Sequence, residues 1–164
     1  MPLTQQTQSV LEAMLQAGLK PIDTLTPVEA RAQFAAMIAA RRSTVTPVAR
    51  TEDRLMTANG RDTPMRLYWP MRLDWPGRPG PLPAIIYFHG GGHVIGNIDT
   101  HDEVTRAYCA SADGLVISVD YAKGPEHKFP AAVEDVRAVI DWLHANAAAL
   151  NVEIGRRRVG KECA

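Results

Sequence analysis

The feature that most constrains the fold is a continuous apolar run over residues 84–88, followed directly by a histidine and three glycines. A run without polar alternation predicts a strand that is buried on both faces, as in a parallel sheet. A second such run lies at Leu115–Val119, and helical patterns over residues 99–112 and Ala131–Leu150 follow the two strands in turn. This alternation of strand and helix predicts an α/β fold whose parallel strands are joined by right-handed crossovers.

Two helices are predicted ahead of this region. Apolar residues recur at helical spacing over residues 5–19, and Gly18 marks the end of that pattern. The second helix begins after Thr26, which forms a capping-box pattern with Glu29. It ends near residues 41–42, where two arginines suit the negative end of the helix dipole.

Between the helices and the apolar run, the pattern changes to that of strands. Residues 45–56 and 65–69 predict two strands that are joined by a turn at Asn59-Gly60. Residues 70–83 contain five prolines and two glycines, so we expect a surface connection there.

Composition excludes several classes of partner. The chain has 164 residues, of which 46% are hydrophobic, as is typical of a globular protein. Lys plus Arg and Asp plus Glu both number 18, so the zero net charge predicts neither a nucleic-acid nor an anionic-membrane partner. No apolar stretch approaches the roughly 18 residues that span a membrane. The two cysteines, Cys109 and Cys163, make no disulfide framework, and we expect reduced thiols in a cytoplasmic protein.

The segment His89-Gly90-Gly91-Gly92 carries the clearest chemical signal. Glycine lacks a Cβ, so the backbone can turn sharply and direct N–H groups into a cleft. Two such groups stabilise the oxyanion of a tetrahedral intermediate by about 3 kcal/mol per donor. The alternative is a glycine-rich turn without chemistry, but the preceding buried strand and the histidine favour the anion site.

Two ordered blocks resemble the hormone-sensitive-lipase family of α/β-hydrolases. Residues 87–96 are similar to the family's oxyanion loop, and Thr100-His101-Asp102 continues the likeness. Residues 120–132 resemble the stretch from the fourth strand into the next helix, and the likeness is strong over residues 83–152.

The resemblance implies the N-terminal part of an α/β-hydrolase fold, with a mostly parallel sheet, flanking helices and two cap-region helices before it. We therefore divide the chain into a helical cap region, residues 1–44, and a partial hydrolase domain, residues 45–164. At residues 122–124, Ala-Lys-Gly stands where the family usually has Arg-Leu-Ala, which puts the local ion pairing in doubt.

The same resemblance implies carboxylic-ester hydrolysis, with a small ester or carboxylic acid as ligand and neither a metal nor an organic cofactor. The N–H groups of Gly91 and Gly92 would be the oxyanion donors, and His89 would orient the loop rather than act as the base. Val94 and Ile95, with the N-terminal helices, would help to line an acyl or alcohol pocket.

The catalytic triad of this family is absent from the chain. The fold needs a serine in a Gly-x-Ser-x-Gly elbow, followed by Asp or Glu and then His. None of the four serines has that context; they are Ser9, Ser43, Ser111 and Ser118. The elbow would follow a strand expected near residues 157–159, and Cys163 lacks the glycine that a substitute nucleophile needs. We therefore expect this chain to be inactive alone.

No metal site is predicted, although three histidines lie close together in sequence. His89 and His93 have the spacing that places two ligands on one face of a helix, and His101 follows. The glycines between the first two make a helix there improbable.

Three interpretations of the chain remain open. It is an inactive hydrolase fragment, a working carboxylesterase whose sequence continues, or a non-enzymatic small-acid-binding or interaction protein derived from an esterase. In the family, the third strand lies between the fourth and fifth. If so, residues 84–88 are left without their usual neighbour, and we expect self-association through that exposed sheet edge, with marginal stability.

Overall fold

A computed structural model describes residues 3–41, 44–71 and 80–154, and the fold is built from four α-helices and five strands in those ranges. The helices are α1 (Gln5–Gln16), α2 (Pro27–Arg41), α3 (Asp102–Ala112) and α4 (Ala131–Leu150). The strands are β1 (Arg50–Ala58), β2 (Arg61–Trp69), β3 (Leu82–Phe88), β4 (Leu115–Val119) and β5 (Val152–Glu153). Short 3₁₀ turns lie at Ile22–Thr24 and Asp99–His101.

The strands form one sheet in the order β1-β2-β4-β3-β5. β2 pairs antiparallel with both β1 and β4, whereas β3 pairs parallel with β4 and β5, so the sheet is mixed. The α/β prediction is confirmed. β3 lies between β4 and the short strand β5, so residues 82–83 have a neighbour on the edge that was expected to be unpaired. Asn59 and Gly60 form the predicted turn between β1 and β2, with positive φ angles of 53° and 71°.

Several element boundaries differ from the predicted ones. α1 stops at Gln16, because Gly18 adopts a positive φ of 68° and turns the chain. β1 begins at Arg50 rather than near residue 45, and the predicted helix at residues 99–112 starts with a 3₁₀ turn. β5 follows α4 directly at Val152–Glu153, and the predicted strand at residues 157–159 lies outside the described residues.

The core lies between the sheet and α4. All five residues of β4 are buried, because α4 packs on one face of the strand and α3 on the other. α4 contributes Val139, Leu143, Ala147 and Leu150, which recur at near-helical spacing and pack in the same cluster as β4. This packing fixes the point at which β3 and β4 end, and with it the position of the loops that follow them.

The N-terminal helices lie on the outside of this unit. Thr26 and Glu29 form the predicted capping box, with the Thr26 N–H donating to Glu29 Oε2 at 2.9 Å and the Glu29 N–H to Thr26 Oγ1 at 3.3 Å. The domain boundary predicted after residue 44 stays a prediction, and residues 42–43 beside it are not described. Across the described ranges, no helix has the length and apolar character that crossing a membrane requires.

Candidate functional site

The glycine loop, residues 89–96, lies where β3 ends and meets the segment that follows β4. Because β3 and β4 are parallel, both segments leave the sheet at the same edge. Two hydrogen bonds join them: Tyr121 Oη donates to the His89 carbonyl at 2.7 Å, and the Gly124 N–H donates to the His93 carbonyl at 2.8 Å. The two blocks that the sequence singled out are therefore one structural unit.

Gly91 is the position in the loop that most requires glycine. Its φ is +129°, and a Cβ there would lie 2.1 Å from the carbonyl oxygen of Ile95. The close approach arises because the Gly91 carbonyl accepts hydrogen bonds from the N–H groups of Val94 and Ile95, each at 3.0 Å. Gly92 also has a positive φ, +61°, but a Cβ there would meet no atom within 4 Å.

The N–H groups of Gly91 and Gly92 donate to no described residue, whereas the carbonyl in the same peptide group as each of them accepts a hydrogen bond. His89 Nδ1 donates to the Gly90 carbonyl at 2.8 Å, and that carbonyl shares a planar peptide group with the Gly91 N–H. The Gly91 carbonyl, held as above, shares its peptide group with the Gly92 N–H. Within the described ranges, neither N–H donates a hydrogen bond. The direction of each N–H is therefore set by the hydrogen bonds of the carbonyl in the same peptide group.

His89 is buried and enclosed by aromatic rings. Its imidazole stacks on His101 at a centroid distance of 5.1 Å and on Tyr121 at 4.7 Å. A Cβ at Gly96 would lie 2.7 Å from His89 Nδ1, so this ring position depends on a glycine there as well. Burial, together with the neighbouring His89, lowers the pKa of His101. These contacts hold the His89 ring in the plane that its bond to the loop requires.

Asp120 and Lys123 form an ion pair at the start of the segment after β4. Burial alone would raise the pKa of Asp120, but contacts with His89 and Lys123 outweigh burial and lower it. His89 Nε2 lies 3.5 Å from Asp120 Oδ1, which is too long for a strong hydrogen bond. The departure at residues 122–124 therefore retains a local ion pair, in which Lys123 is the cation.

Arg31 on α2 connects the N-terminal helices to both loops, and sequence reasoning missed it. Its Nε donates to the Val94 carbonyl at 2.8 Å, and its Nη2 donates to the Gly124 carbonyl at 2.7 Å. The guanidinium also binds Glu126 in a bidentate pair at 2.8 and 2.7 Å, which lowers the pKa of Glu126 to about 2. These partners lie 63 to 95 residues away, so no local pattern marks Arg31.

An apolar cavity of about 550 Å³ lies between the N-terminal helices and the glycine loop. Ile95 lines this cavity and Val94 does not, and the assignment of both residues to an acyl or alcohol pocket stays a prediction. The other apolar lining residues are Leu11, Met14, Leu15, Leu19, Pro21, Ile22, Phe34 and Met37. A second cavity, of about 450 Å³, is lined mainly by polar side chains and borders the glycine loop at Gly96 and the segment after β4 at Asp120.

Asp102 of the Thr-His-Asp block anchors α3 beneath the loop. Its buried carboxylate accepts from Tyr68 Oη at 2.8 Å and from Arg106 Nε at 2.7 Å, and Arg66 lies 3.6 Å away. Burial and the bond to Asp102 raise the pKa of the Tyr68 hydroxyl. Because only residues 97–101 separate the glycine loop from α3, this buried network ties the end of the loop to the sheet.

The serines that the structure describes lie away from the loop. Ser118 is buried within β4, Ser111 is exposed on α3, and Ser9 is exposed on α1. Cys109 is also buried, and burial raises the pKa of its thiol to about 11, which makes it a poor nucleophile. Ser43, Cys163 and the arginine run at residues 156–158 lie outside the described residues.

His93 and His101 do not combine with His89 into a metal site. Among the residues that the structure describes, no group of three or more His, Cys, Asp or Glu side chains is arranged to hold a metal ion. His101 instead lies beside Thr100, with 3.0 Å between its Nδ1 and Thr100 Oγ1, and stacks on His89.

Comparison with known proteins places this geometry in a family. A profile of the α/β-hydrolase fold matches residues 85–160. The chain is 40% identical to a carboxylesterase, NlhH, of Mycobacterium tuberculosis over 72% of this chain and 36% of that protein. It is 30% identical to an arylesterase of Saccharolobus solfataricus over 93% of this chain and 48% of that protein.

The solved structure of a hyperthermophilic esterase from Pyrobaculum calidifontis superposes with a TM-score of 0.78 at 34% identity, covering 94% of this chain and 47% of that one. The chain thus spans less than half the length of these relatives. Both predicted blocks lie within the matched part. Over that part, the chain matches the α/β-hydrolase fold family, in agreement with the resemblance to esterases and lipases of the hormone-sensitive-lipase family that the sequence indicated.

Proposed function

We propose that this chain provides the oxyanion-binding half of a carboxylic-ester hydrolase and does not by itself turn over an ester. The observation that carries the proposal is a pair of N–H groups, at Gly91 and Gly92, that donate to no described residue. The carbonyl in the same peptide group as each N–H accepts a hydrogen bond, which sets the direction of that N–H. Donors that are oriented before the reaction cost no reorganisation when charge develops on a carbonyl oxygen.

In the proposed reaction, a hydroxyl nucleophile attacks the ester carbonyl carbon and a base takes its proton. The electron pair of the C=O bond moves to oxygen, and the two N–H groups stabilise that negative charge by about 3 kcal/mol each. Collapse of the intermediate expels the alcohol, and water then releases the acid. The 164 residues contain no Gly-x-Ser-x-Gly elbow, so nucleophile and base come from outside them.

His89 is the positioning residue for the first donor. Its Nδ1–H holds the Gly90 carbonyl, and the planar peptide group then sets the direction of the Gly91 N–H. The apolar cavity beside Ile95 suits a hydrocarbon group of a small ester, in either its acyl or its alcohol part. A cytoplasmic location is part of the proposal and rests on the cysteine usage of the sequence.

Two measurements test the proposal. First, the purified chain is incubated with p-nitrophenyl acetate beside its Gly91→Ala variant, and we expect the same background rate from both. Turnover by the unsubstituted chain above that of the variant would overturn the claim that it is inactive alone.

Second, methylphosphonate, a tetrahedral anion, is titrated while amide resonances are followed by NMR. We expect the Gly91 and Gly92 amides to shift and saturate, and unmoved amides would remove the oxyanion role.

A non-enzymatic role in binding small carboxylic acids is the second candidate. The same uncommitted N–H groups favour it, because they need no nucleophile to bind an anion. Butyrate would place its carboxylate at the loop and its alkyl chain in the cavity beside Ile95. Saturable binding of butyrate that Gly91→Val abolishes would support this role. Binding that survives the substitution would exclude it.

We also propose that the chain self-associates through the edge of β3, with a second copy as the partner. β5 pairs with β3 at Leu82 and Pro83 within the described ranges, while β4 covers the other edge along residues 84–88. Beyond Pro83, no residue that the structure describes pairs with residues 84–86 on this edge, and we propose that a second β3 extends it. Light scattering should give a mass above the monomer at micromolar concentration. A monomer that melts cooperatively would contradict both the association and the predicted marginal stability.

A further inference from the structure

We propose that Arg31 is a positioning residue that sets the direction of the second oxyanion donor, the Gly92 N–H, from the N-terminal helix α2. The inference rests on the proposed oxyanion function and adds to it a residue outside the glycine loop and outside both sequence blocks. It assigns to the N-terminal helices a role in the geometry of the oxyanion site as well as in the lining of the apolar cavity.

The connection runs through two planar peptide groups. Arg31 Nε holds the Val94 carbonyl at 2.8 Å, and that carbonyl shares a peptide plane with the Ile95 N–H. The Ile95 N–H donates to the Gly91 carbonyl at 3.0 Å, and the Gly91 carbonyl shares its plane with the Gly92 N–H. Rotation of the Val94–Ile95 peptide therefore breaks one of the two hydrogen bonds that hold the Gly91 carbonyl, leaves only the bond from the Val94 N–H, and loosens the direction of the Gly92 N–H.

The two donors are controlled from different directions. The Gly91 N–H depends on the Gly90 carbonyl, which His89 holds from within the loop. The Gly92 N–H depends on Arg31, which reaches the loop from α2. This separation allows a perturbation of Arg31 to be distinguished from a general disturbance of the loop, because the two amides should respond unequally.

Glu126 holds the guanidinium in the orientation that this contact needs. The bidentate pair, with the bond to the Gly124 carbonyl, occupies both terminal nitrogens and leaves Nε directed at Val94. A lysine has one ammonium group without a rigid fork, so it cannot bond Glu126 twice and also reach both carbonyls. Arg31→Lys therefore keeps the positive charge and removes the geometry.

The test compares Arg31→Lys with Arg54→Lys as a matched control. Arg54 pairs with Glu52 at 2.6 Å, and its side chain is 33% exposed against 29% for Arg31, but its ion-pair partner lies on β1 and its guanidinium makes no hydrogen bond to the described residues of the glycine loop. In Arg31→Lys we expect the Gly92 amide resonance to move more than that of Gly91, and the Ile95 amide to exchange faster. Affinity for methylphosphonate should fall by about tenfold, because one of two donors loses its alignment. Arg54→Lys should change none of these.

Glu126→Gln provides a second variant if Arg31→Lys does not fold. It removes the charge pair but leaves the guanidinium beside Val94, so we expect the same pattern of amide changes at smaller amplitude. Equal effects of Arg31→Lys and Arg54→Lys, or an unmoved Gly92 amide in a folded Arg31 variant, would overturn the positioning role. If the unsubstituted chain does not bind methylphosphonate, the oxyanion function fails, whereas the unequal response of the two amides still tests Arg31.

Discussion

The substitution of Gly91 by alanine tests most directly whether this loop has the geometry described here. A Cβ at Gly91 would lie 2.1 Å from the carbonyl oxygen of Ile95, whereas carbon and oxygen atoms in contact stay beyond about 3 Å. The loop would have to open by roughly 1 Å, and that opening breaks the bonds that the Gly91 carbonyl accepts from Val94 and Ile95.

Alanine variants of Gly90, Gly91 and Gly92 form a series in which the expected loss in the free energy of unfolding differs from one position to the next. Gly91→Ala combines the contact with a φ of +129°, and we expect a loss of about 3 kcal/mol in the free energy of unfolding. Gly92→Ala meets no atom but keeps a φ of +61°, so we expect about 1 kcal/mol. Gly90 has open space and no positive φ, and its alanine variant should lie within about 0.5 kcal/mol of the unsubstituted chain.

Thermal unfolding followed by circular dichroism measures the series. A loss of about 3 kcal/mol corresponds to a fall in Tm of roughly 10 °C for a chain of this size. Amide hydrogen exchange at residues 91–96 reports whether the loss is confined to the loop. The reasoning is refuted if Gly91→Ala has the same Tm as Gly90→Ala and the same amide exchange rates at residues 91–96, because the close approach to Ile95 would then not exist.

Two further predictions concern the supports of the loop. Asp102→Asn removes a buried charge that accepts from two side chains, and we expect a loss of about 2 kcal/mol by urea unfolding, whereas Glu103→Gln on the exposed face of α3 should cost little. Arg31, with smaller contributions from the backbone N–H of Glu126 and from His127, lowers the pKa of Glu126 from 4.5 to about 2 in the folded state. The pair therefore stabilises the fold above about pH 4.5, and this contribution disappears as the pH falls towards 2. The Tm difference between the unsubstituted chain and Glu126→Gln should narrow over that range, and a constant difference from pH 7 to 2 would contradict the assignment.

Local patterns in the sequence predicted the elements that depend on near neighbours. The apolar run of β4 and the periodic pattern of α4 gave the bounds that the structure has, Leu115–Val119 and Ala131–Leu150. The Thr26–Glu29 capping box and the glycines after β3 were equally visible, because each is a relation between residues a few positions apart. The length of β1 was less well predicted, since the start of an exposed strand is set by its partner.

Tertiary structure alone decided how the site is assembled. Arg31 reaches Val94 and Glu126 across 63 and 95 residues, and no residue near Arg31 in the sequence indicates that it does so. The sequence identified Gly91 and Gly92 as flexible positions with N–H groups. That those groups are left free, while the carbonyls beside them are held, depends on how α2, the glycine loop and the segment after β4 pack together. A sequence limits the conformations of each short segment, but a donor's direction is set by contacts that the folded chain brings within 3 Å.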